Sequence, residues 1–315
     1  MGSGDSARFD DRGDRGPDAT GYYEELRLKD ALWRRAVPAY LVVGGAAGGA
    51  ALVAAAAQAT GAERFEGLIG GCRVVAAGGT VAGTGWLVYD LGRPERFLNE
   101  FSSFRHTSDM SSSPWVLVAS AASDLTALIF SRSDGGWQRL GRAAGATAGA
   151  LGLPLAGYTG ALSSDTPVPL WRAMRRTLPP LFLISGISSA LALVNLGSLT
   201  NHERRLIGRL GRVLDIAELA VTVAAEREAK QVAEVGATLE EGPGARMWKL
   251  STTLTVGTLA MSLLPAGSRA VRTLQAAMGL AGSWALKAGV FEAGLTSARE
   301  SLGRQKSQQK EFERP

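Results

Sequence analysis

The feature that most constrains this chain is a series of long runs without charged residues. The first extends from Ala36 to Ala62 and exceeds the roughly 20 apolar residues that a helix needs to cross a bilayer. Because lipid offers no hydrogen-bond partner to exposed backbone, such runs are expected to be helices. Three further runs, at 143–164, 177–201 and 250–268, are also free of charge. Four others are apolar but contain charged residues: about 67–90 with Arg73, 111–131 with Asp124, 211–226 with Asp215 and Glu218, and 272–292 with Lys287. We therefore predict an all-α, polytopic integral membrane protein with about eight transmembrane helices, of which the run at 211–226 is the shortest.

The charged residues lie between these runs. The 34 Lys and Arg and the 29 Asp and Glu gather in the tails and connectors, so a mean hydropathy of +0.06 conceals apolar helices rich in Ala and Gly. The net charge of +5 lies at membrane edges and not on one soluble face, which argues against a nucleic-acid partner. An even number of helices places both termini on one side. Lys and Arg are more numerous on that side, mainly in the tails, which predicts that it is cytoplasmic.

The chain has few residues that bind redox metals. Cys72 is the single cysteine, which excludes a disulfide framework, a CxxC zinc site and a protein-ligated iron–sulfur cluster. His106 and His202 both lie in connectors, whereas a membrane cytochrome with two b-type haems needs four ligands inside its helices. We therefore predict that this chain binds neither a metal nor haem.

Glycine spacing in the first run predicts close helix contacts. Gly44 with Gly48, and Gly45 with Gly49, form two interleaved G-x-x-x-G patterns. This spacing opens a groove on one helix face where another backbone can approach. Tight packing within the chain is the favoured interpretation, and a specific dimer contact is the alternative.

Two connectors on the side of the termini carry more large apolar residues than a solvated loop does. The segment from Asp90 to Trp115 combines charge with Phe97 and Phe104. The segment at 163–180 places two prolines before a basic stretch with Trp171, which predicts a short helix at the membrane interface. Both segments fit either anchoring in lipid headgroups by Trp and Arg or docking of another subunit, and docking is favoured.

Ionisable residues inside the predicted helices cost about 2.5–3.5 kcal/mol each, so they are normally paired or functional. One interpretation pairs Lys287 with Glu218 or Asp215 and places Asp124 and Glu292 at the interface. The other is a proton route formed by Asp124, Asp215, Glu218 and Lys287. The same residues support an alternative class of function, in which Asp215, Glu218 and Lys287 serve a secondary transporter or a proton-translocating module.

Tyr158 lies near the end of the fourth run, with Thr159 and Asp165 beside it. A phenol at this position is ordinarily part of the aromatic belt at the membrane interface. It is also the hydrogen-bond donor that a quinone carbonyl needs when it faces an apolar slot. The residues alone are consistent with both interpretations.

Three segments resemble the NrfD/PsrC family, the integral membrane subunits of molybdopterin-type and related respiratory oxidoreductases. PAYLVVGGAAGGAAL, from Pro38 to Leu52, resembles the first helix of the family. DLGRPERF, from Asp90 to Phe97, with the TSDMSSSPW stretch that follows it, resembles the family's most distinctive segment. YTGALSSDTPVPLW, from Tyr158 to Trp171, resembles its fourth helix and the next loop, although RAMRR then replaces an expected His-containing stretch. The half after residue 180 matches mainly in hydrophobic layout.

The resemblance implies two four-helix bundles, at residues 36–180 and 181–296. These lie between a polar, partly disordered tail at 1–35 and a polar tail at 297–315. The resemblance also implies a quinone site at the membrane face where an iron–sulfur subunit docks. The residues expected at the quinone site are Tyr158, Asp90, Asp165 and Thr159. The residues expected to dock the partner are Arg93, Pro94, Arg96, Phe97, Phe104 and Trp171.

The function implied by the resemblance is that of a quinone-reactive anchor in a prokaryotic cytoplasmic membrane. Electrons pass between a molybdopterin catalytic subunit, expected to be formate dehydrogenase-like, and menaquinone or ubiquinone. A ferredoxin-like iron–sulfur subunit carries them, and the molybdopterin and the clusters belong to the partners. The chain is not expected to catalyse the main reaction by itself.

Overall fold

The computed structural model describes the backbone of residues 19–90, 109–164, 168–263 and 268–312. Side chains are described from residue 38 to residue 301, except at 62–63, 87–114, 158–167, 233–235 and 264–267. Within these ranges the regular structure is entirely helical. The α-helices are α1 (Ala19–Gly61), α2 (Glu66–Asp90), α3 (Asp109–Ile129), α4 (Gly135–Ser164), α5 (Pro169–Ala173), α6 (Leu178–Val194), α7 (Asn201–Lys230), α8 (Ala233–Glu240), α9 (Gly242–Ser262) and α10 (Arg269–Phe312).

Each of the eight apolar runs of the sequence lies within or largely coincides with one of the eight long helices. Short connectors join some of them, including the 3₁₀ turns Ala62–Phe65 and Phe130–Arg132. Proline occupies the first turn of α6, where backbone N–H groups have no acceptor within the helix, so the missing N–H of proline costs no hydrogen bond. The predicted short helix in the segment 163–180 is present as α5, and its position at the membrane interface stays a prediction, whereas α8 is a further short helix that we did not predict. Helix α10 continues through residues 303–312, so the polar tail is largely helical.

The long helices pack as two rings of four. Helices α1, α2, α3 and α4 contact one another in that order around the first bundle, which closes through α1 and α4. Helices α6, α7, α9 and α10 form the second bundle in the same way. The two bundles meet mainly where α6 contacts α1 and α4, and where α10 contacts α1. The first hydrophobic core is largely alanine, and the second contains larger side chains such as Phe182 and Trp248.

Two stretches of the described residues are long and apolar enough to cross a membrane by length and hydropathy, Pro38–Gly61 and Trp115–Arg132. The apolar helix Leu178–Val194 is shorter. The other long helices are less apolar on average because glycine adds almost no hydropathy and because some carry buried ions. The number of crossings stays a prediction, which we take up under the proposed function.

Helix α7 shows why average hydropathy is a poor guide for this chain. Its outward face carries Leu210, Val213, Ile216 and Val223, and Val213 is 63% exposed. Its inward face carries Glu218, which is 5% exposed. Apolar side chains outside and a carboxylate inside are the reverse of a soluble helix and fit a lipid-facing one. The predicted span at 211–226 is therefore the central part of a 30-residue helix.

Candidate functional site

Glycines on α1 bring three helices close together at the centre of the molecule. A Cβ atom added at Gly49 would lie 2.7 Å from the backbone of Gly186 on α6. A Cβ at Gly48 would lie 2.6 Å from the carbonyl oxygen of Gly152 on α4. The glycine pattern therefore packs α1 against α4 and α6 within the chain, as the favoured interpretation predicted. At Gly44 no atom of the described residues lies within 4 Å of such a Cβ, so Gly44 takes no part in these contacts.

Lys287 of α10 lies beside this junction and is 1% exposed. Its ammonium donates hydrogen bonds to Ser283 Oγ at 2.8 Å and to Ser185 Oγ at 3.3 Å. The two serine hydroxyls are themselves 2.8 Å apart. The Nζ atom also lies 5.7 Å from the centre of the Phe182 ring, within the range of a cation–π contact. A buried ammonium is thus held by two hydroxyls and a ring.

The predicted ion pair between Lys287 and Glu218 or Asp215 is wrong. No carboxylate oxygen of a described residue lies within 4.0 Å of Lys287 Nζ, and its hydrogen-bond partners are both serines. Glu218 instead accepts a hydrogen bond from Thr255 Oγ1 at 3.1 Å. Lys287 and Glu218 still attract each other electrostatically across a short gap. The structure places the three predicted residues in one interior but does not join them directly.

Helices α7 and α9 face each other through a ladder of polar pairs. Near one end Arg212 donates to the carbonyl oxygen of Ser262 at 3.0 Å. One turn further along α7, Asp215 lies beside Thr258, and the Glu218 pair described above follows. A cavity of about 90 Å³ is lined by Arg212, Asp215 and Ser188, among others. The Ser188 hydroxyl is buried and has no hydrogen-bond partner in the part of the chain that the structure describes. This interior can hold water between Asp215 and the connectors.

The fourth predicted proton-route residue, Asp124, lies in the first bundle, away from the other three. It is 3% exposed and is therefore enclosed by the bundle, while its depth in the membrane stays a prediction. Its carboxylate lies beside the Thr80 hydroxyl, and among the described residues neither its Oδ2 nor Ser120 Oγ, one turn earlier, has a hydrogen-bond partner. On the same interior, Arg73 donates to Gln58 Oε1 at 2.6 Å. The four candidates do not form one continuous route in the described residues. Glu292, also expected at the interface, is half-buried in α10.

The backbone brings the predicted quinone-site residues to one end of the first bundle. The contacts of Gln58 with the α4 backbone and of Gly79 with Ala47 show that α2 and α4 both run antiparallel to α1. Asp90 therefore ends α2 at the same end of the bundle where Tyr158 and Thr159 lie on α4. The side chains of these three residues are outside the described set. Also outside it are Asp165 and the docking residues Arg93, Pro94, Arg96, Phe97 and Phe104.

Trp171 is the one predicted docking residue whose side chain is described. Its indole N–H donates to the carbonyl oxygen of Val290 at 2.9 Å, and its ring lies 6.0 Å from that of Phe291. The ring also rests on Gly294, where a side chain would collide with it. Trp171 thus anchors α5 to α10 and is not freely presented to a partner. The neighbouring Arg172, by contrast, is exposed.

Sequence analysis missed Glu203, which links the two bundles at the other end of the molecule. Its Oε2 accepts a hydrogen bond from Thr200 N at 2.8 Å and completes a capping box at the start of α7. Its Oε1 accepts a hydrogen bond from Leu68 N, in the first turn of α2, at 2.7 Å. Burial alone raises the pKa of Glu203, but hydrogen bonds from Thr200, Leu68 and Gly67 outweigh it and hold the pKa below its usual value. The T-x-x-E spacing could have revealed the first cap.

The structure has the features of a helical integral membrane protein. Its helices carry apolar side chains outward and ions inward, and glycines bring their backbones into contact. The chain belongs to the NrfD family, because the family model described as Polysulphide reductase, NrfD, matches residues 27–264. The predicted family is therefore confirmed. Members of this family are membrane anchors of molybdopterin-type reductase complexes, which is the general role of this chain. A comparison with curated proteins finds no match.

The family match has a boundary that matters for the interior described above. It includes Asp90, Tyr158, Asp215 and Glu218 but ends before α10. Lys287 and its serine partner on α10 therefore lie outside the matched residues. The match supports the first bundle and most of the second, and it gives no information on the buried ammonium.

Proposed function

We propose that this chain is the quinone-reactive anchor of a respiratory oxidoreductase complex. It exchanges electrons between a ferredoxin-like iron–sulfur subunit and the membrane quinone pool, menaquinone or ubiquinone. A molybdopterin subunit, formate dehydrogenase-like, performs the main reaction. The family match carries the proposal, because it includes Asp90 and Tyr158 and because the fold brings both to one end of the first bundle.

Each proposed quinone-site residue has a chemical task. The phenol of Tyr158 donates a hydrogen bond to a quinone carbonyl. This bond becomes stronger as negative charge develops on the carbonyl oxygen. Asp90 and Asp165 exchange protons with the quinone and the aqueous edge, and Thr159 adds a hydroxyl beside the phenol. The chain has a single cysteine, so the iron–sulfur clusters are supplied by the partner.

The docking surface of this proposal is the loop at 92–113 together with residues 165–177. Arg93, Pro94, Arg96, Phe97 and Phe104 provide charge and apolar area in the first segment. In the second, Trp171 fixes α5 against α10, so that α5 offers a rigid platform. A rigid platform lowers the entropy lost when a partner binds.

We also propose that all eight long helices cross the membrane, with both termini in the cytoplasm. Exposed apolar residues on the other long helices support this, for example Val74 on α2, Leu153 on α4 and Val256 on α9. Labelling of single cysteines introduced at Asp134 and Glu241 tests the proposal. A reagent applied from one side of the membrane should label one position, and a reagent applied from the other side should label the other. Labelling of both positions from the same side would refute the proposal.

Replacement of Tyr158 by Phe tests the quinone site in the assembled complex. Loss of one hydrogen bond to a developing anion should lower quinone-linked turnover about tenfold or more. Dye-linked activity of the catalytic subunit should be unchanged, because that electron path bypasses the membrane. Tyr40→Phe is the matched control, since Tyr40 is a phenol at the same end of the bundle that packs near Gly83. Unaltered quinone kinetics in Tyr158→Phe would refute the assignment.

The second bundle favours an additional candidate of a different class. Asp215, Glu218 and Lys287 lie in one interior, with a small cavity beside Asp215. Such an array suits a secondary transporter or a proton-translocating module. Co-purification in mild detergent separates the two candidates. An iron–sulfur protein that stays with the chain supports the anchor, whereas a solitary, monodisperse chain that moves protons in vesicles supports the transporter.

A further inference from the structure

A basic groove of about 530 Å³ lies between α5 with its following turn and the end of α7. Arg172, Arg175 and Arg176 line one side, and Glu228 lines the other. The Glu228 carboxylate already accepts a hydrogen bond from Thr177 Oγ1 at 2.8 Å. The lining residues therefore leave a net positive charge in the groove.

Two of the arginines are available to a ligand. Within the described part of the chain, the side chains of Arg172 and Arg176 form no hydrogen bond or ion pair, and both are exposed. Arg175 is engaged in an interaction of its own, so the inference rests on the other two. Two guanidinium groups at one groove present several N–H donors to a tetrahedral anion such as a phosphate.

The groove continues the lipid-facing side of α7. The exposed apolar face of that helix passes through Val213, Ile216 and Val223 at helical spacing. Gln231 lies on the same face two turns beyond Val223 and lines the groove with Val232, which is itself exposed. A basic groove at the end of an apolar stripe has the chemistry of a phospholipid, with an anionic headgroup and an acyl chain.

We propose that this groove binds one anionic phospholipid. Arg172 and Arg176 hold its phosphate, and an acyl chain lies along Val223 and Ile216 of α7. Arg172 and Arg176 belong to the segment 165–177 that is proposed above as part of the docking surface. The groove itself opens onto the apolar outward stripe of α7, which favours a lipid over an acidic segment of the protein partner. The inference requires that α7 faces lipid and does not depend on the quinone proposal.

The test uses the full chain, purified in detergent and titrated with phosphatidylglycerol, with bound lipid counted by native mass spectrometry. The wild-type chain should bind phosphatidylglycerol in preference to phosphatidylcholine. The double variant Arg172→Gln, Arg176→Gln should bind phosphatidylglycerol about thirtyfold more weakly, given the typical contribution of a basic residue at an anionic surface. Arg246→Gln is the matched control, because Arg246 is exposed at the same end but outside the groove.

A second variant keeps the test valid if the double variant misfolds. Val223→Asn leaves both arginines in place and should still weaken lipid retention, because it removes part of the acyl-chain contact. Equal binding of the two lipids by the wild-type chain would overturn the proposal. Displacement of the lipid by inorganic phosphate at equal concentration would also overturn it. A third contrary result would be a double variant that keeps its lipid and loses a co-purifying protein partner. The last result would identify the groove as a protein contact.

Discussion

Two helix pairs, α1 with α4 in the first bundle and α7 with α9 in the second, are packed in opposite ways. In the first, α1 meets α4 through glycine and alanine, and backbones approach so closely that a Cβ at Gly152 would meet Gly48. In the second, α7 and α9 are held apart by side chains that pair across the gap, as Glu218 does with Thr255. Small residues gain stability from close contact. Buried ions cost stability, and both bundles contain them, Asp124 in the first and Glu218 and Lys287 in the second. Their presence indicates a task other than holding helices together.

The largest expected effect comes from a side chain placed where the two bundles touch. A valine at position 49 would place its Cβ 2.7 Å from the backbone of Gly186, which cannot rotate away. The helices must separate, so we expect Gly49→Val to lower the free energy of unfolding by about 3 kcal/mol. Thermal unfolding in detergent measures this change.

Gly44→Val is the matched control for that substitution. It adds the same side chain to the same helix, at a position with no atom within 4 Å of the added Cβ. Its unfolding temperature should stay near that of the wild-type chain. Equal losses in both variants would show that the helix itself, and not the contact between bundles, is sensitive to valine.

A smaller effect is expected at Glu203, where the second bundle caps a helix of the first. Glu203→Ala removes acceptors from Thr200 N and Leu68 N, two N–H groups at helix starts. Each lost cap costs about 1 kcal/mol, so we expect a loss of about 2 kcal/mol in the free energy of unfolding at neutral pH. Glu240→Gln is the control, because Glu240 is an exposed carboxylate that pairs only with Lys230 at the surface.

The Glu203 effect should depend on pH in a defined direction. The folded pKa of this carboxyl lies below its ordinary value of 4.5. Its stabilising contribution is therefore complete above the unfolded pKa and is lost as the pH falls through the folded pKa. The stability difference between the wild-type chain and Glu203→Ala should be constant near pH 7 and shrink below about pH 4. A difference that grows on acidification would contradict the capping role.

Much of the first bundle follows from the sequence, whereas the second is harder to predict. Charge-free runs locate the helices, and the spacing of Gly45 and Gly49 predicts the close contact of α1. The same spacing cannot name Gly186 as the partner, because that requires the arrangement of helices. The partners of Lys287 are serines from two helices, and serine at these positions carries no signal of its own. The link from Glu203 to Leu68 spans 135 residues and has no local pattern.

The smallest effect on stability is expected at Lys287, and it is the most informative about the second bundle. A buried ammonium that pairs with a carboxylate costs about 3–5 kcal/mol to break, because the partner is left uncompensated. Among the described residues, the hydrogen-bond partners of Lys287 are two serine hydroxyls and not a carboxylate, so Lys287→Met should change the free energy of unfolding by less than about 1 kcal/mol. Lys249→Met, at an exposed lysine, is the control for the substitution itself. Chemical unfolding of both variants in mixed micelles gives the comparison.

A loss of several kcal/mol in Lys287→Met alone would mean that Glu218 depends on this charge for stability. A near-zero change would leave the buried ammonium without a structural reason and would support a role for it in moving protons.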